Sequence, residues 1–157
     1  MQSAETLIEV ASILPGYTKQ HEGLKEIFVD GLKNLTECLD AHVQALMDDA
    51  AGYYAIIRSP QNVTTCKRVA VAIEEQWPWN RLLDIDCFGG GMVLTRQSLQ
   101  MPERKCLMCE NTHPYCIYYK RHSLEDLVES AISLISLRKI PTLPGDNKSL
   151  VNYPALK

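Results

Sequence analysis

The sequence predicts a single α+β domain, a small mixed sheet with helices packed on one face and a cysteine-rich knuckle. Three observations lead there. The chain has 157 residues, a length that suits one domain able to bury a core without staples. Segments with strand-like and helix-like apolar spacing take turns along it. Cysteines with metal-ligand spacing cluster in one stretch, 106–122. Residues 1–140 are read as the domain and 141–157, with Pro141, Pro144-Gly145 and Pro154, as an irregular tail.

The elements follow in order. Thr6 to Leu14 carries apolar residues up to Pro15-Gly16 and reads as a strand entering a turn. Leu24, Ile27, Phe28, Leu32, Leu35, Leu39, Val43 and Leu46 fall at three-and-four spacing, which predicts one long amphipathic helix over 21–46. Gly31 lies in that stripe, so another backbone is expected to approach there. His21 and His42 fall on the helix as ordinary boundary residues. Tyr53 to Ile57 reads as a second strand, and Val63, Cys66, Val69, Ala70 and Ile73 mark a second helix running to Gln76. Trp77-Pro78-Trp79-Asn80 breaks the chain before a strand at Leu82–Phe88. Gly89-Gly90-Gly91 then turns into a short strand at Met92–Thr95. Beyond the knuckle, Ser123 opens a last helix with Asp126 as its capping partner, running to about Arg138.

Composition excludes several classes. The chain is 46% hydrophobic and 22% charged, which is neither disordered nor collagen-like. No apolar run approaches the ~20 residues of a spanning helix, so a membrane role is not expected. The N-terminus lacks the basic start of a signal peptide, giving a cytoplasmic expectation and six reduced or metal-bound cysteines. The net charge of −3 hides an uneven spread: residues 1–60 balance at −5 and residues 101–122 at +2. That is too little basic surface for bulk nucleic-acid binding, so any anion site is local.

Two constellations carry chemistry. In Asp84-Ile85-Asp86, strand geometry projects both carboxylates to one face and Leu83, Ile85 and Cys87 to the other. Paired carboxylates attract Mg²⁺, which takes one or two of them together with substrate phosphates. Arg81 stands near enough to hold a phosphate. The plainer alternative is a wet hairpin face. The second constellation is Cys106-x₂-Cys109-x₆-Cys116-x₅-His122, whose donors suit a structural tetrahedral Zn²⁺. His113 competes with His122 for the fourth position, and metal-free thiols are the other reading. Cys38, Cys66 and Cys87 sit in apolar patterns and read as core. Tyr115, Tyr118 and Tyr119 interleave with Arg104, Lys105, Lys120 and Arg121, either covering the knuckle or contacting a nucleotide.

Taken together these pieces resemble one family. Arg81-Leu82-Leu83-Asp84-Ile85-Asp86, Thr95-Arg96, Arg104-Lys105-Cys106-Leu107-Met108-Cys109, Cys116 and His122 closely resemble the apo-citrate lyase phosphoribosyl-dephospho-CoA transferases. These are also called citrate lyase holo-acyl-carrier-protein synthases. Upstream, Pro15-Gly16 with Lys19, Phe28-x₂-Gly31 and Ile73-Glu74-Glu75 have counterparts, so the likeness covers roughly residues 7–135. The resemblance implies attachment of a triphosphoribosyl-dephospho-CoA prosthetic group to a serine of the acyl carrier protein subunit of citrate lyase, with release of pyrophosphate. It implies Asp84 and Asp86 as the Mg²⁺-binding pair, with Arg81, Arg96, Lys19 and Arg104 as phosphate contacts. A nucleotidyltransferase-like fold is suggested by analogy alone.

The departures lead to the expectation of a shortened, divergent or partly disabled member of that family. Trp77-Pro78-Trp79-Asn80 replaces the family's His-Pro-Leu-Gly, Tyr17 replaces a proline and Tyr118 a basic residue. An Arg-rich segment ahead of the first strand has no counterpart among these residues. Two rival readings follow, a non-catalytic relative that docks the carrier and a zinc-knuckle module that binds single-stranded nucleic acid or protein.

Overall fold

A computed structural model describes residues 5–138. The predicted boundary at residue 140 and the irregular tail lie outside the described residues. Five strands form one sheet in the order β2-β3-β1-β4-β5: β1 Thr6–Ser12, β2 His42–Asp49, β3 Gly52–Ser59, β4 Leu83–Gly89 and β5 Met92–Leu94. The helices are α1 Glu22–Leu39, α2 Val63–Gln76, a short α3 His113–Tyr118 and α4 Leu124–Leu137. The class is α+β, as the sequence predicts. No helix is long and apolar enough to cross a membrane among the described residues.

Every strand pairing is antiparallel, so the sheet is not mixed. The reason lies in β2, which the sequence reading merged into the first helix. Had α1 led straight to β3, that strand would run parallel to β1. Instead β2 and β3 form a hairpin, which reverses the chain before it reaches β1. Helix α1 stops because Asp40 takes the left-handed conformation (φ 49°, ψ 43°), which Asp tolerates better than most residues. Ala41 N–H then closes on Thr36 O at 3.0 Å. Val43 and Leu46, counted on the helix stripe, are strand residues 43% and 61% exposed. His42 opens β2, while His21 caps α1 by accepting from Gly23 N–H at 3.1 Å.

The sheet has one covered face. Ile8, Val10, Ala55, Ile57, Leu83, Ile85 and Cys87 are buried there with Leu24, Ile27, Phe28 and Leu35 of α1, Ala70 and Ile73 of α2, and Ala131 and Ile135 of α4. Strand alternation sends Glu9, Tyr54, Ile56, Asp84 and Asp86 to the opposite face, where each is at least partly exposed. Gly31 does meet a close neighbour, although a side chain rather than backbone: a Cβ there would lie 2.5 Å from Leu83 Cδ1. Cys66 and Cys87 are core residues whose burial raises their thiol pKa, for Cys87 to about 12. Cys38 is exposed and is not core, because it lies one position before Leu39 and rotates off the apolar stripe. Ser123 caps α4, accepting from Asp126 N–H at 3.1 Å.

Candidate functional site

Strand β4 builds the candidate site. Its side chains alternate as the sequence predicts, so Asp84 and Asp86 share the open face. Each has a cation beside it: Arg104 Nη1 lies 3.2 Å from Asp84 Oδ1, and Lys67 Nζ lies 3.4 Å from Asp86 Oδ1. Glu9 of β1 stands directly opposite Asp86 in the register and projects to the same face, a third carboxylate. Beside it, Tyr54 has its phenol pKa raised by burial and by the Glu9 carboxylate.

Beneath the acid pair, α2 replaces a missing strand. β5 pairs with β4 only from Cys87 onward, which leaves the backbone of Ile85 without a strand partner on that side. Glu74 Oε1 accepts from Ile85 N–H at 2.9 Å, and Lys67 Nζ donates to Ile85 O at 2.8 Å. Both α2 side chains are buried, and both satisfy backbone groups that would otherwise be costly orphans. Glu74 Oε2 also accepts from Arg96 Nη2 at 2.6 Å, and Glu74 Oε1 lies 3.7 Å from Arg104 Nη1. Arg104 in turn donates to the carbonyls of Arg81 and Leu83, the latter at 2.6 Å. One buried carboxylate therefore braces two arginines and the aspartate strand. Glu74→Gln should lower unfolding free energy by about 2 kcal/mol, the worth of a charge-assisted hydrogen bond. Urea denaturation of the two proteins measures it.

The remaining predicted contacts divide. Arg81 lines a cavity of about 590 Å³ with Arg104, Lys105 and Trp77. Its Nη1 donates to Cys106 O at 3.2 Å. Arg96 is only 12% exposed and is taken up by Glu74 and Glu75. Burial lowers its pKa, but the two carboxylates outweigh that and raise it overall. Lys19 donates from Nζ to Leu14 O at 2.7 Å, in the loop after β1. Neither Arg96 nor Lys19 has an ion pair with Asp84 or Asp86 among the described residues.

The knuckle gathers the predicted donors. Cys106, Cys109, Cys116 and His122 place their ligand atoms within 4.8 Å of one another, and theirs is the only such group of three or more among the described residues. His122 is the fourth member and His113 is not. Cys109 Sγ lies 3.4 Å from both Cys116 Sγ and His122 Nε2. The backbone N–H of Asn111 draws the Cys109 thiol pKa down to about 6, helped by Cys116 and His122. Desolvation and the neighbouring thiols push Cys116 up to about 12. Three sulfurs and an imidazole so close together fit a tetrahedral soft-metal site. His113 stands outside that group, and its backbone N–H donates to Arg104 O at 2.7 Å. Burial lowers its pKa, as does nearby Arg104, against the pull of Asp84. Tyr115, Tyr118 and Tyr119 stay exposed and pack on one another at 4.7 and 4.9 Å between ring centroids.

Comparison with known proteins identifies the lineage. The family defined as apo-citrate lyase phosphoribosyl-dephospho-CoA transferase matches residues 1–137. The chain belongs to this transferase family. A member from Citrobacter koseri, named apo-citrate lyase phosphoribosyl-dephospho-CoA transferase, is 29% identical over 128 residues, 78% of this chain and 70% of its own. A relative of the same name from Shigella boydii is 27% identical over 136 residues, 83% of this chain and 74% of its own. The likeness read from the motifs at 81–86 and 104–122 is thus a likeness of most of the chain.

Sequence reasoning gave no site role to three residues of this candidate site. Glu9 interrupts an apolar strand, which is the only local sign of its exposure on the open face. Lys67 and Glu74 stand on the buried side of α2, where a charge implies a buried partner. That partner is the backbone of β4, a contact no local pattern identifies.

Proposed function

We propose that this chain transfers the phosphoribosyl-dephospho-CoA group of a triphosphoribosyl-dephospho-CoA donor to a serine of the citrate lyase acyl carrier protein, releasing pyrophosphate. The observation that carries this reading is the Asp84–Asp86 pair on an open strand face, flanked by Arg104 and Lys67, in a member of this family. The serine Oγ attacks the α-phosphorus of the donor triphosphate, forming an oxygen–phosphorus bond. The bond from that phosphorus to the bridging oxygen breaks, and its electron pair leaves with pyrophosphate. The serine proton passes to water or to a carboxylate of the open face.

Two carboxylates on one face suit Mg²⁺ carried in on the donor triphosphate, and the ion would neutralise phosphate charge. Asp84 and Asp86 would hold it. Arg81 and Arg104, which line one cavity, would contact the donor phosphates, with Lys19 near the end of β1, where Gly52 lies against both Ser12 and Lys19. Arg96, paired with two glutamates, positions α2 and the segment that follows β5. The knuckle would hold a structural Zn²⁺ through Cys106, Cys109, Cys116 and His122.

The test is mass spectrometry of the apo carrier after incubation with this protein, donor and Mg²⁺. The expected result is a gain equal to the phosphoribosyl-dephospho-CoA group on one serine; an unchanged carrier mass overturns the reading. A second reading, docking of the carrier without transfer, is favoured by the exposed tyrosines beside Lys120 and Arg121. Complex formation without the mass gain would establish it.

A further inference from the structure

The 590 Å³ cavity beside the β4 edge carries more than phosphate-binding charge. One wall is Trp77, whose ring stacks on Trp79 at 5.2 Å between centroids and 5° between planes. Trp79 packs against the hydrophobic core, so Trp77 is a backed, preoriented aromatic surface rather than a free side chain. Among the described residues, the cations around it are unequally engaged. Arg104 is paired with Asp84 and Glu74, and Lys105 with Glu110. Arg81 has no carboxylate within ion-pair distance among the described residues. The wall also carries Glu103, an acceptor suited to an exocyclic amine and unsuited to phosphate. A volume of this order is that of an ordinary small-molecule site, about 300–1,000 Å³.

We infer that this cavity is a nucleobase subsite, in which Trp77 stacks on the aminopurine ring of a nucleotide and Arg81 holds its phosphates. Stacking on an aromatic face accepts any base, and the guanidinium adds the anion recognition that an indole lacks. The inference deepens the transferase reading and rests on it for the ligand, the adenosine diphosphate end of the donor. Trp77 acts in binding and touches no reacting atom.

The chain has two tryptophans, both in this stack, so its own fluorescence reports on the site. Dephospho-CoA should quench wild-type emission, and 4′-phosphopantetheine, which lacks the base, should not. Calorimetry should show Trp77→Ala raising the Kd for dephospho-CoA about tenfold, with Trp77→Phe within about threefold of wild type. Unchanged affinity in Trp77→Ala, equal quenching by 4′-phosphopantetheine, or no binding of dephospho-CoA at millimolar concentration overturns the subsite. The wild-type comparison stands even if the alanine variant fails to fold. Failure of the two readings is distinguishable. Carrier modified by Trp77→Ala with an unchanged donor KM removes the subsite and keeps the transferase. Trp77-dependent dephospho-CoA binding without carrier modification does the reverse.

Discussion

Asp84→Asn should reduce carrier modification by about 10²-fold or more while leaving the fold intact. The size follows from the role. A cation held between carboxylates and phosphate contributes several kcal/mol to stabilising the transferring group, and each 1.36 kcal/mol is tenfold in rate. An amide keeps the shape and one acceptor oxygen but loses the charge that would hold the cation and that pairs with Arg104, 3.2 Å away. The fold should survive, since the Asp84 side chain is half exposed and the buried half of β4 is Leu83, Ile85 and Cys87. Thermal unfolding therefore accompanies the turnover assay: a melting temperature near wild type with lost turnover supports the role. Wild-type turnover in Asp84→Asn sinks it.

Loss of the proposed knuckle metal should be the second large effect. Purified protein should contain about one zinc per chain by elemental analysis. Binding to the folded form alone, with metal at a thousandfold excess over its Kd, adds about 4 kcal/mol. For a domain of this length that is about 8–16 °C of melting temperature, which a strong chelator should remove. Affinity should rise with pH, because the ligands must lose protons to bind. Cys116, at about 12 without metal, carries a proton at neutral pH that binding releases, contributing about tenfold per pH unit. Cys109, at about 6, adds a further released proton below that pH and steepens the dependence. A metal-free protein whose melting ignores chelator would refute the assignment. Activity should fall with the metal, since the knuckle carries Arg104 through the Lys105–Thr112 bridge and the His113–Arg104 hydrogen bond.

The fold was legible where burial selects a pattern. β1, β3 and β4 each have one covered face, so their alternation survives in the residues. β2 is an edge strand whose residues are exposed on both sides, so nothing forces alternation, and Val43 and Leu46 fell by accident on helix spacing. The acid pair was readable from period two, and the metal cluster from the spacing of its cysteines. Which histidine completes the cluster was not, because only the folded chain sets His122 beside Cys109 and leaves His113, at the start of α3, outside the group. Glu9 reaches the site through a pairing across the chain, Glu9 with Asp86, which only the folded register supplies.

The pairing of Lys67 and Glu74 with one residue of β4 has a further meaning. The two residues lie two helical turns apart on α2 and take the N–H and C=O of Ile85 along the same edge of the strand, like the jaws of a calliper. A strand can slide by one residue at little backbone cost, and such a slide would turn Asp84 and Asp86 into the core. The calliper fits Ile85 in one position only, so α2 keeps the chemical face of β4 outward.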